Sequence, residues 1–417
     1  MSKIAFAWRQ LLPPMRGALL AFAALALAAL LAVACGGGQE EGPSTTATAT
    51  PTAVATPVAT ASPLATAVPT VTAQDLTERG PFAVGVSTLT LVDESRPTDP
   101  NGSYPGADSR TLVTEVWYPA EGRTQASELR DAPLDLSQAP YPLIVFSHGL
   151  TGVRRQSTFY TQHLASHGYI VISPDYPLSN GLAPGGPRAG DVLNQPGDVS
   201  FLIDSFLGFS DEPGNQFEGA IDETAIGLTG HSLGGLTTLL ATFGPLADPR
   251  VKAAVPLAPV SCLVGSQNYE GSHTPLLVIS GSDDQVVAFE SARQAYDAAN
   301  PPKYLLELLG GNHLRFADGD LSDFPPGTLQ TLGAATFVED ALRIIQATGA
   351  DVTACPEAEA HPQTLSGDRQ QELTRLFATA FFDYYLKGDE GTSYVLTAEF
   401  AQTVPEVELE IGQPSSE

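Results

Sequence analysis

The sequence predicts an α/β fold: a mostly parallel eight-stranded sheet with helices on both faces. Three observations carry this. Short apolar, β-branched runs alternate with segments of helical periodicity. One such run, residues 225–229, leads into Gly230-His231-Ser232-Leu233-Gly234-Gly235 and then a helical segment, which is strand, sharp turn and helix with a serine at the apex. Two later apolar runs end in loops that hold first an aspartate and then a histidine. Strands that alternate with helices form a parallel sheet covered on both sides. Its reactive groups belong at the carboxyl ends of the strands.

Residues 84–92 and 111–118 are the two opening strands. Residues 142–147 form a short continuous apolar run, as a parallel strand buried on both faces requires, and 169–174 is the next. Residues 225–229, 251–257, 275–280 and 304–309 bring the count to eight. Helices are expected at 158–167, 198–206, 236–243 and 290–299. A final helix at 369–386 carries Leu373, Leu376, Phe377, Ala380, Phe381 and Tyr384 at helical spacing, a stripe expected in the core. Ahead of it lies a long insert. Within the insert, residues 336–348 form an amphipathic helix with Phe337, Val338, Ala341, Leu342 and Ile345 on one side. That helix either covers the site or packs on the body.

Four segments divide the chain. Residues 1–34 have the order of a signal peptide: Lys3, Arg9 and Arg16, then an unbroken apolar stretch from 17 to 33, then small residues. Cys35 follows Leu31-Ala32-Val33-Ala34, which resembles a bacterial lipobox, so Cys35 is expected to be lipidated and to become the new N-terminus. An uncleaved anchor and an ordinary signal peptide are the alternatives. Residues 35–75 are rich in Thr, Ala and Pro and almost free of charge, the composition of an extended tether. The folded domain is expected over 76–407, with 408–417 as a C-terminal tail. The expected place is the bacterial cell envelope, exported to the extracytoplasmic face of a membrane, with the lipid anchor as the only membrane contact.

The formal net charge is −27, and losing the leader makes it more negative. No basic patch exists to attract a polyanion, so nucleic acid is excluded as a partner. Three cysteines are present. With Cys35 assigned to the anchor, Cys262 and Cys355 remain as a pair in an exported protein, and a disulfide between them is expected, with two free buried thiols as the alternative. No Cys/His grouping has metal-ligand spacing.

Serine is a poor nucleophile at neutral pH and needs a base oriented by an acid. At the apex of a strand-to-helix turn Ser232 is lifted clear of the sheet, and Gly230 and Gly234 let strand and helix pass closely. After 275–280 comes Gly281-Ser282-Asp283-Asp284, and Asp284 has the expected spacing for the acid, with Asp283 as its rival. After 304–309 comes Gly310-Gly311-Asn312-His313. Of the histidines, only His313 and His361 follow the acid, and His361 lies far from any strand end, so His313 is the expected base. An oxyanion needs two backbone donors. Leu233 is one. The loop Ser147-His148-Gly149-Leu150-Thr151-Gly152 offers Leu150 as the other, with His148 bracing the loop.

With these residues in place the chain resembles the α/β-hydrolases. Within them it is most similar to the branch of platelet-activating-factor acetylhydrolases and bacterial dienelactone-hydrolase-like proteins. The resemblance rests on Glu115-Val116-Trp117-Tyr118-Pro119-Ala120, Phe146-Ser147-His148-Gly149-Leu150, Leu164-Ala165-Ser166-His167-Gly168-Tyr169-Ile170-Val171, Gly230 to Gly235 and Gly311-Asn312-His313. It implies a serine esterase that needs no metal or cofactor, with Ser232, Asp284 and His313 as the triad and Leu150 and Leu233 as oxyanion donors. The chain departs from dienelactone hydrolases proper, whose nucleophile is cysteine. The function expected is hydrolysis of esters with short to medium acyl chains through an acyl-enzyme. The alternatives are a polyester or cutin-like hydrolase, an amidase, or a non-catalytic lipoprotein that binds ligand on the same scaffold.

Overall fold

The computed structural model describes residues 71–124, 128–319, 334–351, 355–358 and 364–413. The leader, Cys35, nearly all of the tether and His361 lie outside the described residues. The domain opens slightly earlier than expected, with a helix α1 (Ala73–Thr77) whose Thr72 and Asp75 cap it reciprocally.

Among the described residues, ten strands form one sheet. They are β1 (Ala83–Asp93), β2 (Arg110–Ala120), β3 (Leu129–Arg130), β4 (Tyr141–Ser147), β5 (Ile170–Asp175), β6 (Ile221–His231), β7 (Val251–Leu257), β8 (Leu276–Gly281), β9 (Lys303–Leu308) and β10 (Val407–Gly412). Their order is β10-β9-β8-β7-β6-β4-β5-β2-β1-β3. The run from β5 through β4, β6, β7 and β8 to β9 is parallel, while β1 with β2, β2 with β5, and β9 with β10 pair antiparallel. All eight expected strands are present. β3 pairs over only two residues of β1. β10 corrects the expected tail: residues 408–412 belong to the folded sheet, with Val407, Leu409 and Ile411 alternating with Glu408 and Glu410 along β9.

The helices α2 (Thr158–Ser166), α3 (Gln195–Asp211), α4 (Leu233–Thr242), α5 (Phe289–Ala298), α6 (Ala334–Thr348), α7 (Gly367–Lys387) and α8 (Ala398–Ala401) follow. Period-two alternation in the strands feeds both faces of the sheet. Ile144, Phe146, Leu277, Ile279, Leu306 and Leu308 join the core beneath α2 and α7. Their neighbours Leu143 and Val145 pack under α3, and Leu276, Val278 and Leu305 under α4 and α5. Both faces of the central strands are thus dry, and all seven residues of β4 are buried. The stripe on α7 is core as expected, with Tyr384 half-buried at its edge.

A buried ion cluster ties β2 to the segment beside the elbow. Arg110 bonds both oxygens of Asp191 at 3.1 Å and both of Asp198, at 2.7 and 2.6 Å. All three side chains are fully buried. Asp191 sits in a 3-10 turn, Ala189–Leu193, and also accepts from the Leu178 amide at 3.2 Å.

Candidate active site

The sharp turn between β6 and α4 puts Ser232 at φ +59°, a left-handed conformation that costs a non-glycine residue strain. The turn is held from both sides. The Ser232 N–H donates to Leu257 O at the end of β7 at 2.9 Å, and Ser232 O accepts from Leu236 N at 3.0 Å. A Cβ on Gly230 would lie 2.4 Å from Gly234 O, and one on Gly234 would lie 2.0 Å from Ser147 O. Only glycine at both places lets β4, β6 and α4 meet at this distance.

Asp284 follows β8 and is buried. Its Oδ1 accepts from the amides of Val286 and Val287, each at 2.8 Å. Its Oδ2 lies 2.7 Å from His313 Nδ1. A carboxylate so placed fixes the His313 proton on Nδ1 and leaves Nε2 as an acceptor. Asp283, the rival, turns away: it is half-exposed and receives Ser282 Oγ at 3.2 Å, while its backbone N–H bonds Gly311 O at 2.9 Å. Of the two neighbouring aspartates, Asp284 is the one whose carboxylate lies within hydrogen-bond distance of His313.

His313 opens a 3-10 turn, His313–Phe316, capped by Asn312 Oδ1. Gln370 on α7 clamps the residue before the histidine, accepting from Asn312 N at 2.9 Å and donating to Asn312 O at 2.7 Å. Sequence reasoning missed Gln370, because nothing local marks a glutamine 58 residues downstream as a partner of this loop. The His313 ring lies 4.6 Å, centroid to centroid, from that of His231, the residue before Ser232. Among the described residues, Ser232 Oγ and His313 Nε2 are both buried and have no hydrogen-bond partner.

The loop after β4 passes directly over Ser232. A Cβ on Gly149 would lie 3.4 Å from Ser232 Cβ. Leu150 and Leu233 sit in one apolar cluster, and Leu233 is the first residue of α4, so its amide stands at the positive end of the helix. His148 is fully buried, and burial pushes its pKa down. Its Nε2 accepts from Tyr176 N at 3.1 Å, so its proton is on Nδ1, where it meets Gly149 O at 2.7 Å. It braces the loop as expected.

Helix α6 packs on the Ala189–Leu193 turn through Asp340, Ala341 and Ile344. Asp340 is ion-paired to Arg188 at 3.0 Å. Ala341 is buried as expected, but the apolar stripe is corrected at Leu342, which is 40% exposed, because the helix turns Ile344 inward in its place. The side chains of Phe337 and Val338 lie outside the described residues. Cys262 and Cys355 are bonded, with Cα atoms 5.0 Å apart, joining the end of the insert to the segment after β7. Among the described residues, no group of three or more His, Cys, Asp or Glu side chains is arranged to hold a metal ion.

The sheet order, the serine elbow and the acid and histidine loops at successive strand ends define an α/β-hydrolase fold. Residues 132–323, which contain Leu150, Ser232, Leu233, Asp284 and His313, match the family model described as PET hydrolase-like. Cutinase 2 of Thermobifida cellulosilytica is 26% identical over 203 residues, 48% of this chain and 64% of the relative. Cutinase cut1 of Thermobifida fusca is 26% identical over 48% of this chain and 52% of its own length. A bis(hydroxyethyl) terephthalate hydrolase of Streptomyces coelicolor is 24% identical over 43% of this chain and 53% of its length. The chain thus spans between about half and two thirds of the length of these relatives. The solved ferulic acid esterase from Streptomyces cinnamoneus shares the fold with a TM-score of 0.55 and 24% identity, over 79% of this chain and 96% of that one.

Proposed function

We propose that the chain is a serine carboxylic ester hydrolase that works through an acyl-enzyme. The observation that carries this reading is the buried pair His313–Asp284 at 2.7 Å beside a serine held at φ +59°. Ser232 Oγ attacks the ester carbonyl as His313 Nε2 takes its proton. The amides of Leu150 and Leu233 hold the oxyanion. Collapse expels the alcohol, which receives the proton from His313. A water then gives its proton to His313 and attacks the acyl-enzyme, releasing the acid and restoring Ser232.

The preferred substrates are esters with short to medium acyl chains. The segment that follows β5 through residue 187 is turns without an amphipathic helix, and α6 packs on the Ala189–Leu193 turn. Each further methylene needs apolar wall worth about 0.8 kcal/mol. The narrower resemblance to the platelet-activating-factor acetylhydrolase branch leads to the same preference. Polyester or cutin-like hydrolysis is the second reading, favoured by the PET hydrolase-like match over residues 132–323 and by the cutinases among the relatives. The domain is held outside the cell through lipidated Cys35 and the tether 35–75, so Cys35→Ser should remove it from the detergent phase.

The test is labelling by a fluorophosphonate, with Ser232→Ala as control, followed by p-nitrophenyl acetate, butyrate, octanoate and palmitate. Labelling at Ser232 and a specificity constant that peaks by butyrate or octanoate are expected. Ester turnover near wild type in Ser232→Ala overturns the mechanism, and a constant that climbs through palmitate overturns the acyl preference. Release of acid from a polyester film alone selects the second reading.

A further inference from the structure

Gln156 is bonded to none of Ser232, Asp284 and His313, yet its side-chain amide joins two of their supports. Its Oε1 accepts from Gly149 N–H at 3.0 Å, and its Nε2 lies 2.9 Å from His231 Nδ1. A main-chain N–H only donates, so the first bond identifies the oxygen end of the amide. The nitrogen end then donates to His231 Nδ1, and the proton of a neutral His231 resides on Nε2. Burial and the neighbouring His313 hold the His231 pKa well below the usual imidazole range, against a smaller opposing pull from the His313 backbone.

The loop after β4 is shaped to receive this amide. A Cβ on Gly152 would sit 2.1 Å from Gln156 Oε1, and one on Gly149 would sit 3.4 Å from His231 Nδ1. The backbone around Gln156 extends the link to the base. Gln156 O accepts from Asp318 N at 2.8 Å, and Ser157 Oγ donates to Phe316 O at 2.7 Å. The Asp318 carboxylate in turn accepts from the Thr158 and Phe159 amides at 2.7 and 3.0 Å. The turn that carries His313 is thereby stitched to the segment that carries Leu150.

We propose that Gln156 is a positioning residue that locks His231 as the Nε2–H tautomer against the His313 ring and holds Gly149, and with it the Leu150 amide, in register with Ser232. The proposal rests on the reading of Ser232 as nucleophile and His313 as base. In turnover His313 becomes imidazolium. A neighbouring ring whose Nδ1 already accepts a hydrogen bond does not take up that proton, and a loop pinned by the same amide keeps its donor in place as charge develops.

Three variants separate the two bonds. Gln156→Glu keeps an acceptor for Gly149 and removes the donor to His231. Gln156→Ala removes both. Gly152→Ala evicts the Gln156 oxygen without changing Gln156. The readouts are kcat and KM on p-nitrophenyl butyrate, and the 15N shifts of the His231 ring at pH 7 in protein labelled with 15N-histidine, identified by their loss in His231→Asn. Wild-type His231 is expected to show an unprotonated Nδ1, and Gln156→Glu to carry a proton there. kcat is expected to fall roughly 10-fold in Gln156→Glu and towards 100-fold in the other two, with KM within about twofold of wild type. A proton on Nδ1 of wild-type His231, or kcat within about twofold of wild type in all three variants, overturns the proposal. Fluorophosphonate labelling keeps the failures apart: a labelled Ser232 with unaffected variants sinks only the role of Gln156, whereas an unlabelled Ser232 sinks the hydrolase reading itself.

Discussion

Replacing Gly234 by alanine tests whether the close passage of strand and helix sets the reactive geometry. The added Cβ would lie 2.0 Å from Ser147 O, 2.5 Å from Ser147 C and 2.7 Å from His148 O. All three are backbone atoms and none swings aside. A carbon–oxygen contact needs more than about 3 Å, so β4 and α4 must part by at least about 1 Å. That displacement separates Leu150, three residues beyond Ser147, from Ser232 and Leu233. A shift of this size is expected to cost about 100-fold in kcat. Overpacking is expected to cost about 1–3 kcal/mol of stability. Turnover of p-nitrophenyl butyrate and guanidinium unfolding read the two effects. Gly208→Ala is the control: its Cβ meets nothing within 4 Å on the exposed side of α3, and it should gain up to about 1 kcal/mol with unchanged kcat. A Gly234→Ala enzyme with kcat within about twofold of wild type and an unshifted midpoint would refute the reasoning.

Asp284→Asn should lower kcat by about 10⁴, because the amide favours the wrong imidazole tautomer, while Asp283→Asn stays within about tenfold of wild type; the reverse order in paired kinetics would displace Asp284 as the acid. Replacing Cys262 and Cys355 together by serine opens a loop with a sequence separation of 93, which costs about 4–5 kcal/mol on the chain-entropy model, read as a lower denaturation midpoint. Mass spectrometry of a non-reduced digest should find the two cysteines linked. Arg110→Met leaves buried Asp191 without its cation and buried Asp198 with Arg96 alone, and should cost about 3–5 kcal/mol at pH 7. Burial already raises the Asp198 pKa, against the pull of Arg110. Without Arg110 the folded Asp198 titrates higher still, so its penalty is absent below the unfolded value near 4 and grows as pH rises. A deficit that does not shrink towards pH 4 would count against this account.

The parts of the molecule written locally were legible in the sequence. The elbow was, because its glycines stand at fixed places two before and two after the serine, Gly230 against Gly234 O within the turn and Gly234 against the incoming β4. The parallel strands were, because burial on both faces leaves an unbroken apolar run such as β4. α4 starts three residues earlier than its pattern suggests, since Gly234 and Gly235 are poor helix formers and are kept for close packing. The first turn of α3 was hidden by Pro196 and Gly197, although proline is tolerated in a first helical turn. β3 has no local signal, because two residues pair with β1 only once the sheet exists. Gln156 and His231 were illegible as a pair because their bond spans 75 residues and depends on gaps left by Gly149 and Gly152.

β10 has a consequence for how copies of this chain meet. It closes one side of the sheet with an open row of backbone groups, the surface along which proteins zip into fibrils. Glu408 stands directly opposite Glu307, and Glu410 is exposed beyond it. Burial first, and then Glu408, lifts the Glu307 pKa, so the pairing of like charges is kept at a cost to the fold. A second β10 laid edge to edge would stack more carboxylates on these. Copies of this chain that approach along this edge therefore meet repulsion rather than a template for pairing.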